Sequence, residues 1–227
     1  MWLIVTLITY VTAVKICKRF GHPLLNPLLL GVSFVIAVLL VLDVPYSEYY
    51  EDNLILSYLL QPAIVVMAYP IFCQLSIIKK KALLILGSCF LGALFSMLSG
   101  GIIALSLGAD VSLVVSVLTK SVTVPIAMAT TNRLDGDVAV SAILVLFAGL
   151  VGAMAAYPIF HFLKIKGKIA RGLTIGAAAH ALGTAQALDK SPEDAAYSSL
   201  ALALCGIFTA ICAPVVMVLI VMIYQGG

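Results

Sequence analysis

The sequence predicts an all-α polytopic membrane protein with about six full transmembrane helices and two re-entrant or broken helices in an inverted repeat. Three observations lead to this prediction. Of 227 residues, 10% are charged and 63% are hydrophobic, whereas soluble domains have about 25% charged residues. The charges fall in clusters between long charge-free runs, and a pattern of small residues occurs twice. An ordinary soluble domain is thereby excluded, and a net charge of +3 is too small to indicate a nucleic-acid partner.

Charge-free runs define the predicted transmembrane helices, since a crossing takes about 20 apolar residues. Long runs occur at residues 20–42, 53–78, 82–109, 138–163 and 195–227. Shorter apolar runs occur at residues 1–14, 111–132 and 172–188. We interpret 1–14 as a short transmembrane helix, because its basic residues follow it, whereas those of a signal peptide would precede it.

The charges of the loops set the predicted orientation, because basic loops favour the cytoplasm. Residues 15–22 and 79–81 are then inside, and the acidic segment 43–53, interpreted as a solvated loop, is outside. A full crossing by residues 111–131 would leave the basic loop 164–171 outside. The conflict disappears if 111–131 is re-entrant, which at membrane depth requires backbone that is buried in protein or lines a cavity.

An internal repeat supports the re-entrant interpretation. A shift of 57 residues superimposes Ser141 on Ser198, Gly149 on Gly206 and Thr123 on His180. We therefore divide a single membrane domain, 1–227, into N-terminal helices 1–110 and repeat units 111–163 and 168–224, the second inverted relative to the first. Inverted repeats whose broken helices meet near the midplane are typical of secondary transporters. The alternative is a chance coincidence of common small residues.

Lys120 is the strongest functional candidate, because an ionisable side chain inside a membrane run is costly. Ser121 and Thr123 are residue types that cap helix N-termini, and Pro125 suits a first helical turn. Lys120–Pro125 is therefore predicted to be an unwound stretch before a half-helix, whose N-terminus and lysine together would bind a carboxylate. The alternative is a shallow loop from which Lys120 extends to the outer interface.

His180, Gly183 and Thr184 form the second candidate site. Histidine can change its charge near neutral pH, so His180 could bind an anion or carry a coupling proton. Gly183 permits an unwound or closely approached backbone, and Thr184 offers a hydroxyl. The alternative is an ordinary hydrogen-bonded histidine in the protein core.

Two further candidates lie in the N-terminal half. Asn26 precedes Pro27 as a cap of the second helix, which is also how an ordinary helix starts. The third run is interrupted at Gln61–Pro62 and at Tyr69–Pro70. Because proline frees carbonyl groups inside a helix, Gln61 could face a cavity, and a simple kink is the alternative.

Other kinds of chemistry find little support in the sequence. It contains no motif typical of a phosphate-binding loop, a dinucleotide fold, a zinc protease or a serine hydrolase. The five cysteines are spaced neither for metal binding nor for a disulfide framework. No acidic residue lies deep in an apolar run. We therefore predict no metal, no cofactor and no enzymatic activity.

Five segments resemble the LrgB/CidB family, and the resemblance covers essentially the whole chain. They are NPLLLG at 26–31, QPAIVVMAYPIF at 61–72, KSVTVPIAMA at 120–129, HALGTAQALD at 180–189 and YSSLALALCGIFTAICAP at 197–214. The lysine and histidine motifs in this order are the specific part. The chain departs from the family pattern at Thr119, where proline is usual, and at Asp189, where glutamate is frequent.

The resemblance implies two functions. Family members are described as holin/antiholin-like regulators of murein hydrolase activity and cell lysis, paired with a small LrgA/CidA-like membrane protein. Plastid relatives that resemble a fused LrgA and LrgB transport glycolate and glycerate, and bacterial pairs are linked to pyruvate.

We expect a carrier for small monocarboxylates such as pyruvate, lactate, glycolate or glycerate in the bacterial inner membrane, with lysis regulation as the alternative. Lys120, Ser121 and Thr123 would bind the carboxylate from one side, and His180 with the Gly183–Thr184 turn from the other. The expected partners are the bilayer and an LrgA/CidA-like protein. The small-residue helices could also pack between subunits of a homo-oligomer.

Overall fold

The computed structural model describes residues 1–20, 27–66, 72 and 75–225. Every regular element in this described part is an α-helix, as the sequence predicts. The helices form two compact units, Met1–Val66 and Met67–Gly227.

The described residues of the first unit form α1 (Trp2–Phe20), α2 (Pro27–Val41), α3 (Tyr46–Asp52) and α4 (Leu54–Val66). Helix α1 is longer than the predicted helix 1–14, because its last turns include the basic residues Lys15, Lys18 and Arg19. Helix α2 packs along α1, with Gly31 close to Tyr10.

The acidic segment 43–53 was expected to be a solvated loop. Residues 43–52 do lie at the surface, but Tyr46–Asp52 form the helix α3 and not a loop. Trp2 of α1 binds the acidic side chains of that helix: its Nε1 donates to Oε1 of Glu48, and its amide to Oδ2 of Asp52, both at 3.0 Å. A helix of 7 residues is not stable alone in water. Its formation depends on these contacts with α1, which no local pattern reveals.

The two weaker site candidates belong to this unit. Asn26 lies outside the described residues. Gln61 lies within α4, whose backbone remains helical through Pro62 as far as Val66. The predicted interruption at Gln61–Pro62 therefore does not break the helix, and the one at Tyr69–Pro70 lies outside the described residues.

The second unit holds the candidate site. Its described helices are α5 (Leu75–Lys80), α6 (Ala82–Ser106), α7 (Val111–Leu118), α8 (Val124–Arg133), α9 (Val138–Phe162), α10 (Lys168–Lys190) and α11 (Pro192–Gln225). Aspartate side chains begin two of them, as N-caps do. Asp110 accepts from the amide of Leu113, and Asp137 accepts from the amides of Ala139 and Val140.

Three helices of the described residues are long and apolar enough to cross a membrane, namely α6, α9 and residues Pro192–Met222 of α11. A shorter apolar helix covers Leu29–Val41. These helices and the composition make the chain a membrane protein. The other predicted crossings, and with them the total of about six, stay predictions.

Helices α6 and α11 pack against the shorter helices of the unit in two separate hydrophobic clusters. In one cluster, Met97 of α6 packs with Leu118 of α7 and Ile220 of α11. In the other, Ile85 of α6 packs with Leu173 of α10. The two predicted site segments, in α7–α8 and in α10, are thus fixed to the same pair of long helices.

Candidate functional site

Helices α7 and α8 form a hairpin. Thr119 follows α7, and its Oγ1 lies 2.9 Å from Oγ1 of Thr131 in α8. Ser116 Oγ donates to the carbonyl oxygen of Asp137, which follows α8, at 2.9 Å. In helices laid end to end, Thr119 and Thr131 would be roughly 20 Å apart. The chain therefore reverses its direction between α7 and α8.

The turn of this first hairpin is the unwound stretch that the sequence predicts. Helix α7 ends at Leu118 and α8 begins at Val124, with Thr123 as an extended N-cap residue and Pro125 in the first turn. The expected capping by a hydroxyl is wrong for Thr123. Its Oγ1 makes no cap hydrogen bond and is buried without a partner among the described residues.

Helix α10 contains a second hairpin that turns at His180. The backbone there has φ 37° and ψ −130°, a conformation that residues other than glycine rarely adopt. A Cβ atom on Gly183 would lie 2.8 Å from Cγ2 of Ile175, although eight residues of straight helix span about 12 Å. The reversal therefore lies at His180, and the predicted turn at Gly183–Thr184 is helical instead.

The two turns meet near the middle of α9. Val122 of the first turn packs against Val145. Nε2 of His180 in the second turn lies 2.9 Å from the carbonyl oxygen of the same Val145. A Cβ atom on Gly149 would collide with the His180 ring, so this glycine provides the space for the second turn.

The hairpins extend along α9 from opposite ends. The open end of the first hairpin contacts Asp137, just before α9 begins. Ile175 and Ala187 of the second hairpin pack against Phe160, near the end of α9. Both turns thus lie about halfway along one helix that is long enough to cross a membrane.

A cleft of about 560 Å³ lies beside the first turn. Its polar lining comprises Ser88, Ser96, Ser99, Lys120, Ser121 and Thr174. The remaining lining is apolar and comes from α6, α9 and the first half of α10. Among the described residues that line it, Lys120 is the only charged one.

The Lys120 ammonium group is fixed to α6. Its Nζ donates to the carbonyl oxygen of Ser96 at 2.8 Å and to Oγ of the same serine at 2.9 Å. Oγ of Ser96 lies 2.7 Å from Oγ of Ser121. A Cβ atom on Gly100 would lie 2.9 Å from Nζ, so this glycine makes room for the lysine. An ammonium group has three N–H donors, and one remains for a ligand.

The charge and hydroxyl groups suit the cleft to a small anion. Both acceptors of the Lys120 ammonium are neutral, and no carboxylate of the described residues pairs with it. The hydroxyls of Ser99 and Thr174 can bind further oxygen atoms of a ligand. Within the described part of the chain, no group of three or more His, Cys, Asp or Glu residues could hold a metal ion.

The predicted residues of the first hairpin separate into two sets. Lys120 and Ser121 line the cleft. Thr123 and Pro125 begin α8 and are not part of the lining. The sequence predicts that the N-terminus of α8 and the Lys120 ammonium share one binding site. Of the predicted residues of this hairpin, only Lys120 and Ser121 line the cleft.

The predicted residues of the second hairpin serve its packing. The His180 side chain is buried against α9 and does not line the cleft. Oγ1 of Thr184 donates to the His180 carbonyl oxygen at 2.7 Å and lies 2.6 Å from Oγ of Ser198 in α11. Gly183 lies against Ile175. These contacts hold the turn in place.

Ser96 is a site residue that the sequence analysis missed. It is the direct partner of Lys120, but it lies in an apolar run that also contains Ser88, Ser99 and Ser106. No spacing in the run distinguishes Ser96 from these other serines. The proximity of Ser96 to the glycine pair Gly100–Gly101 was the available signal, because small residues mark places of close approach.

A buried ion pair was also missed. The Asp194 carboxylate at the start of α11 is fully buried. Nη2 of Arg171 donates to Oδ1 at 3.1 Å, and Nε lies 3.0 Å from Oδ2. The Tyr157 hydroxyl donates to Oδ2 at 3.2 Å. These contacts join α9, α10 and α11 at the open end of the second hairpin.

Comparisons with known proteins give one consistent result. The sequence model of the LrgB-like family matches residues 6–219. An uncharacterized protein of Haemophilus influenzae is 37% identical over 220 residues, which cover 97% of this chain and 95% of the relative. Protein YxaC of Bacillus subtilis, also uncharacterized, is 33% identical over 94% of this chain and 93% of its own. The holin-like protein CidB of Staphylococcus aureus is 26% identical over 96% of both chains. No solved structure matches.

Proposed function

This chain belongs to the LrgB-like family. We propose that it is a carrier that transports small monocarboxylates across the bacterial inner membrane. The expected substrates are pyruvate, lactate, glycolate and glycerate, and the expected partner is an LrgA/CidA-like membrane protein. The cleft around Lys120 carries this proposal. Its single positive charge and its hydroxyl groups suit a carboxylate with one small polar substituent.

The two hairpins support a carrier mechanism. The same offset of 57 residues separates Val111 from Lys168 and Arg133 from Lys190, where the two hairpins begin and end. Each arm is too short to cross a bilayer, which takes about 20 residues. We therefore propose that both are re-entrant segments of an inverted repeat, the arrangement in which one repeat moves against the other.

In the proposed cycle, Lys120 binds the carboxylate and Ser121 binds a second oxygen of the substrate. The second hairpin lies against α9 through small residues, since a Cβ atom on Gly152 would be 2.7 Å from that of Ala179. Small residues of this kind let the two helix backbones approach closely. His180 anchors the second turn to α9 and acts on transport through this anchoring.

Uptake by proteoliposomes tests the carrier. The purified chain, alone and with an LrgA/CidA-like partner, should take up labelled pyruvate, lactate or glycolate faster than protein-free liposomes do. Lys120→Gln should reduce uptake at least about tenfold, because a hydrogen bond to a charged group contributes about 1.5–3 kcal/mol. Lys79→Gln, at an exposed lysine of α5, should transport like the wild type.

The outcomes separate the function from the site. Normal uptake by Lys120→Gln would reject the cleft as the binding site and leave the carrier function intact. No uptake of any of these carboxylates, with and without the partner, would reject the function.

A second candidate function is favoured by the names of relatives. CidB of Staphylococcus aureus and CidB of Staphylococcus epidermidis, 26% and 29% identical to this chain, are called holin-like. These names favour regulation of murein hydrolases and lysis through membrane assembly over transport. Release of a cytosolic enzyme from cells that express the chain measures this activity. Release that requires the chain, together with no carboxylate uptake in the proteoliposomes, would favour lysis regulation over the carrier.

A further inference from the structure

A second cleft, of about 440 Å³, lies where α9 ends and α10 begins, apart from the cleft around Lys120. Phe160 and Ile165 contribute apolar side chains to its lining. Lys164, Lys166 and Arg171 contribute basic ones. A pocket that is apolar on one side and basic on the other can hold a ligand with the same two parts.

Two of the three basic side chains of this cleft have no acidic partner among the described residues. Lys164 and Lys166 are exposed, and no carboxylate of the described residues lies within ion-pairing distance of either. Lys168 beside them does pair with Glu193. A further cation, Nζ of Lys190, lies 4.5 Å from the centroid of the Tyr157 ring, which lines the cleft.

Arg171 is held in a fixed orientation at the cleft. Its Nη2 donates to Oδ1 of the buried Asp194 at 3.1 Å, and its Nε lies 3.0 Å from Oδ2 without forming a hydrogen bond. The described residues give its Nη1 group no partner. A planar guanidinium group matches the geometry of phosphate oxygens, so the pair with Asp194 prepares Arg171 for a phosphate and reduces the entropy lost on binding.

We propose that this cleft binds the phosphate of an anionic phospholipid headgroup. Phe162 and Leu163, between the lining residues His161 and Lys164, are 83% and 58% exposed. They end a helix long enough to cross a membrane, so acyl chains can follow its surface while the phosphate enters the cleft. Basic pockets between transmembrane helices recognise lipid headgroups in this way. A soluble phosphate ion has no apolar part that could contact the apolar side of the cleft. The inference does not depend on the carrier proposal.

Retention of lipid by the purified full-length chain tests this site. The chain is incubated in detergent with equimolar phosphatidylcholine and phosphatidylglycerol, free lipid is removed, and retained lipid is quantified by mass spectrometry. The wild type should retain phosphatidylglycerol in excess over phosphatidylcholine. Lys164→Gln/Lys166→Gln should bind phosphatidylglycerol about fivefold more weakly for each lysine removed.

Lys79→Gln/Lys80→Gln is the matched control, since it removes two exposed lysines of α5 that line neither cleft. It should keep the preference for phosphatidylglycerol. Equal losses in the two double variants, or no loss in either, would overturn the proposal. Excess inorganic phosphate should leave the lipid bound, and its displacement would identify a site for a soluble anion instead of a lipid.

Discussion

The two hairpins share one shape, but their turns carry different chemistry. The first turn covers residues 119–123 and places a charged side chain, Lys120, in a cleft. The second turn is made at His180 alone, and its ring is buried against α9. The first turn thus presents a charged side chain to a cleft, whereas the second is packed against α9.

The contacts between each hairpin and the helix that follows it differ as well. In the first, the hydroxyls of Thr119, Thr131 and Ser141 lie within 3.1 Å of one another and are fully buried. In the second, the corresponding contacts are the ion pair of Arg171 and Asp194. Loss of one neutral hydroxyl from such a group should lower the free energy of unfolding only slightly. Loss of the partner of a buried charge should lower it strongly.

The largest expected effect comes from filling the space between the second hairpin and α11. Gly176→Val would place a side chain against the backbone carbonyl oxygen of Ser198, which cannot rotate away. We expect the free energy of unfolding to fall by about 3 kcal/mol, measured as the apparent Tm in one detergent. Gly87→Val is the control, because no atom beyond its own stretch of α6 lies within 4 Å of the added Cβ. Equal shifts in both variants would refute the close packing of this hairpin.

The next effect tests the charged end of the second hairpin. Asp194→Asn leaves the Arg171 cation without its counter-charge. Because Arg171 is itself 24% exposed, we expect a loss of about 2 kcal/mol, below the range for a fully buried pair. The aligned Asp137 only caps α9 from an exposed position, and asparagine caps equally well. Asp137→Asn should therefore leave the Tm unchanged, and a matching loss there would remove the contrast between the hairpins.

A smaller effect tests the second turn. His180→Ala and His180→Gly both remove the contact with Val145, but only glycine adopts the positive φ without strain. We expect the glycine variant to be more stable than the alanine variant by about 1 kcal/mol. At an ordinary helical position the alanine variant would instead be the more stable one, by about 1 kcal/mol. The sign of the Tm difference thus decides whether His180 is the reversal point.

The smallest effect tests the first turn and depends on the carrier function. Ser96→Ala removes one of the two oxygens that hold Lys120, which should raise the half-saturating substrate concentration about fivefold. Ser106→Ala on the same helix removes a hydroxyl that bonds only to its own helix carbonyl, Ile102. It should transport normally. A fivefold change in both variants would point to a general effect on α6.

The first turn could be predicted from the sequence because its signals are local. A lysine without neighbouring charges, two hydroxyl residues and Pro125 all lie within six residues, and each disfavours a continuous helix in lipid. The second turn was placed at Gly183–Thr184 because glycine is the usual residue for an unwound backbone. The reversal at His180 instead depends on Val145 and on the space at Gly149, contacts more than 30 residues away in sequence.

The contacts that complete the site lie beyond the reach of local patterns. Ser96 meets Lys120 across 24 residues, and Arg171 meets Asp194 across 23. Composition predicted the helices and the membrane environment, since both follow from averages over many residues. The pairing of particular side chains follows from how the helices pack, which those averages do not contain.

The shortness of the hairpin arms has a consequence for biosynthesis. Helices α7 and α8 have 8 and 10 residues, and lipid cannot satisfy the backbone groups exposed at their ends. Each hairpin leaves the ribosome before the long helix that covers it, α9 for the first and α11 for the second. In the proposed re-entrant arrangement, a nascent first hairpin would therefore remain at the insertion machinery or the interface until α9 has entered the bilayer. Insertion and tertiary folding of these segments would then be a single event.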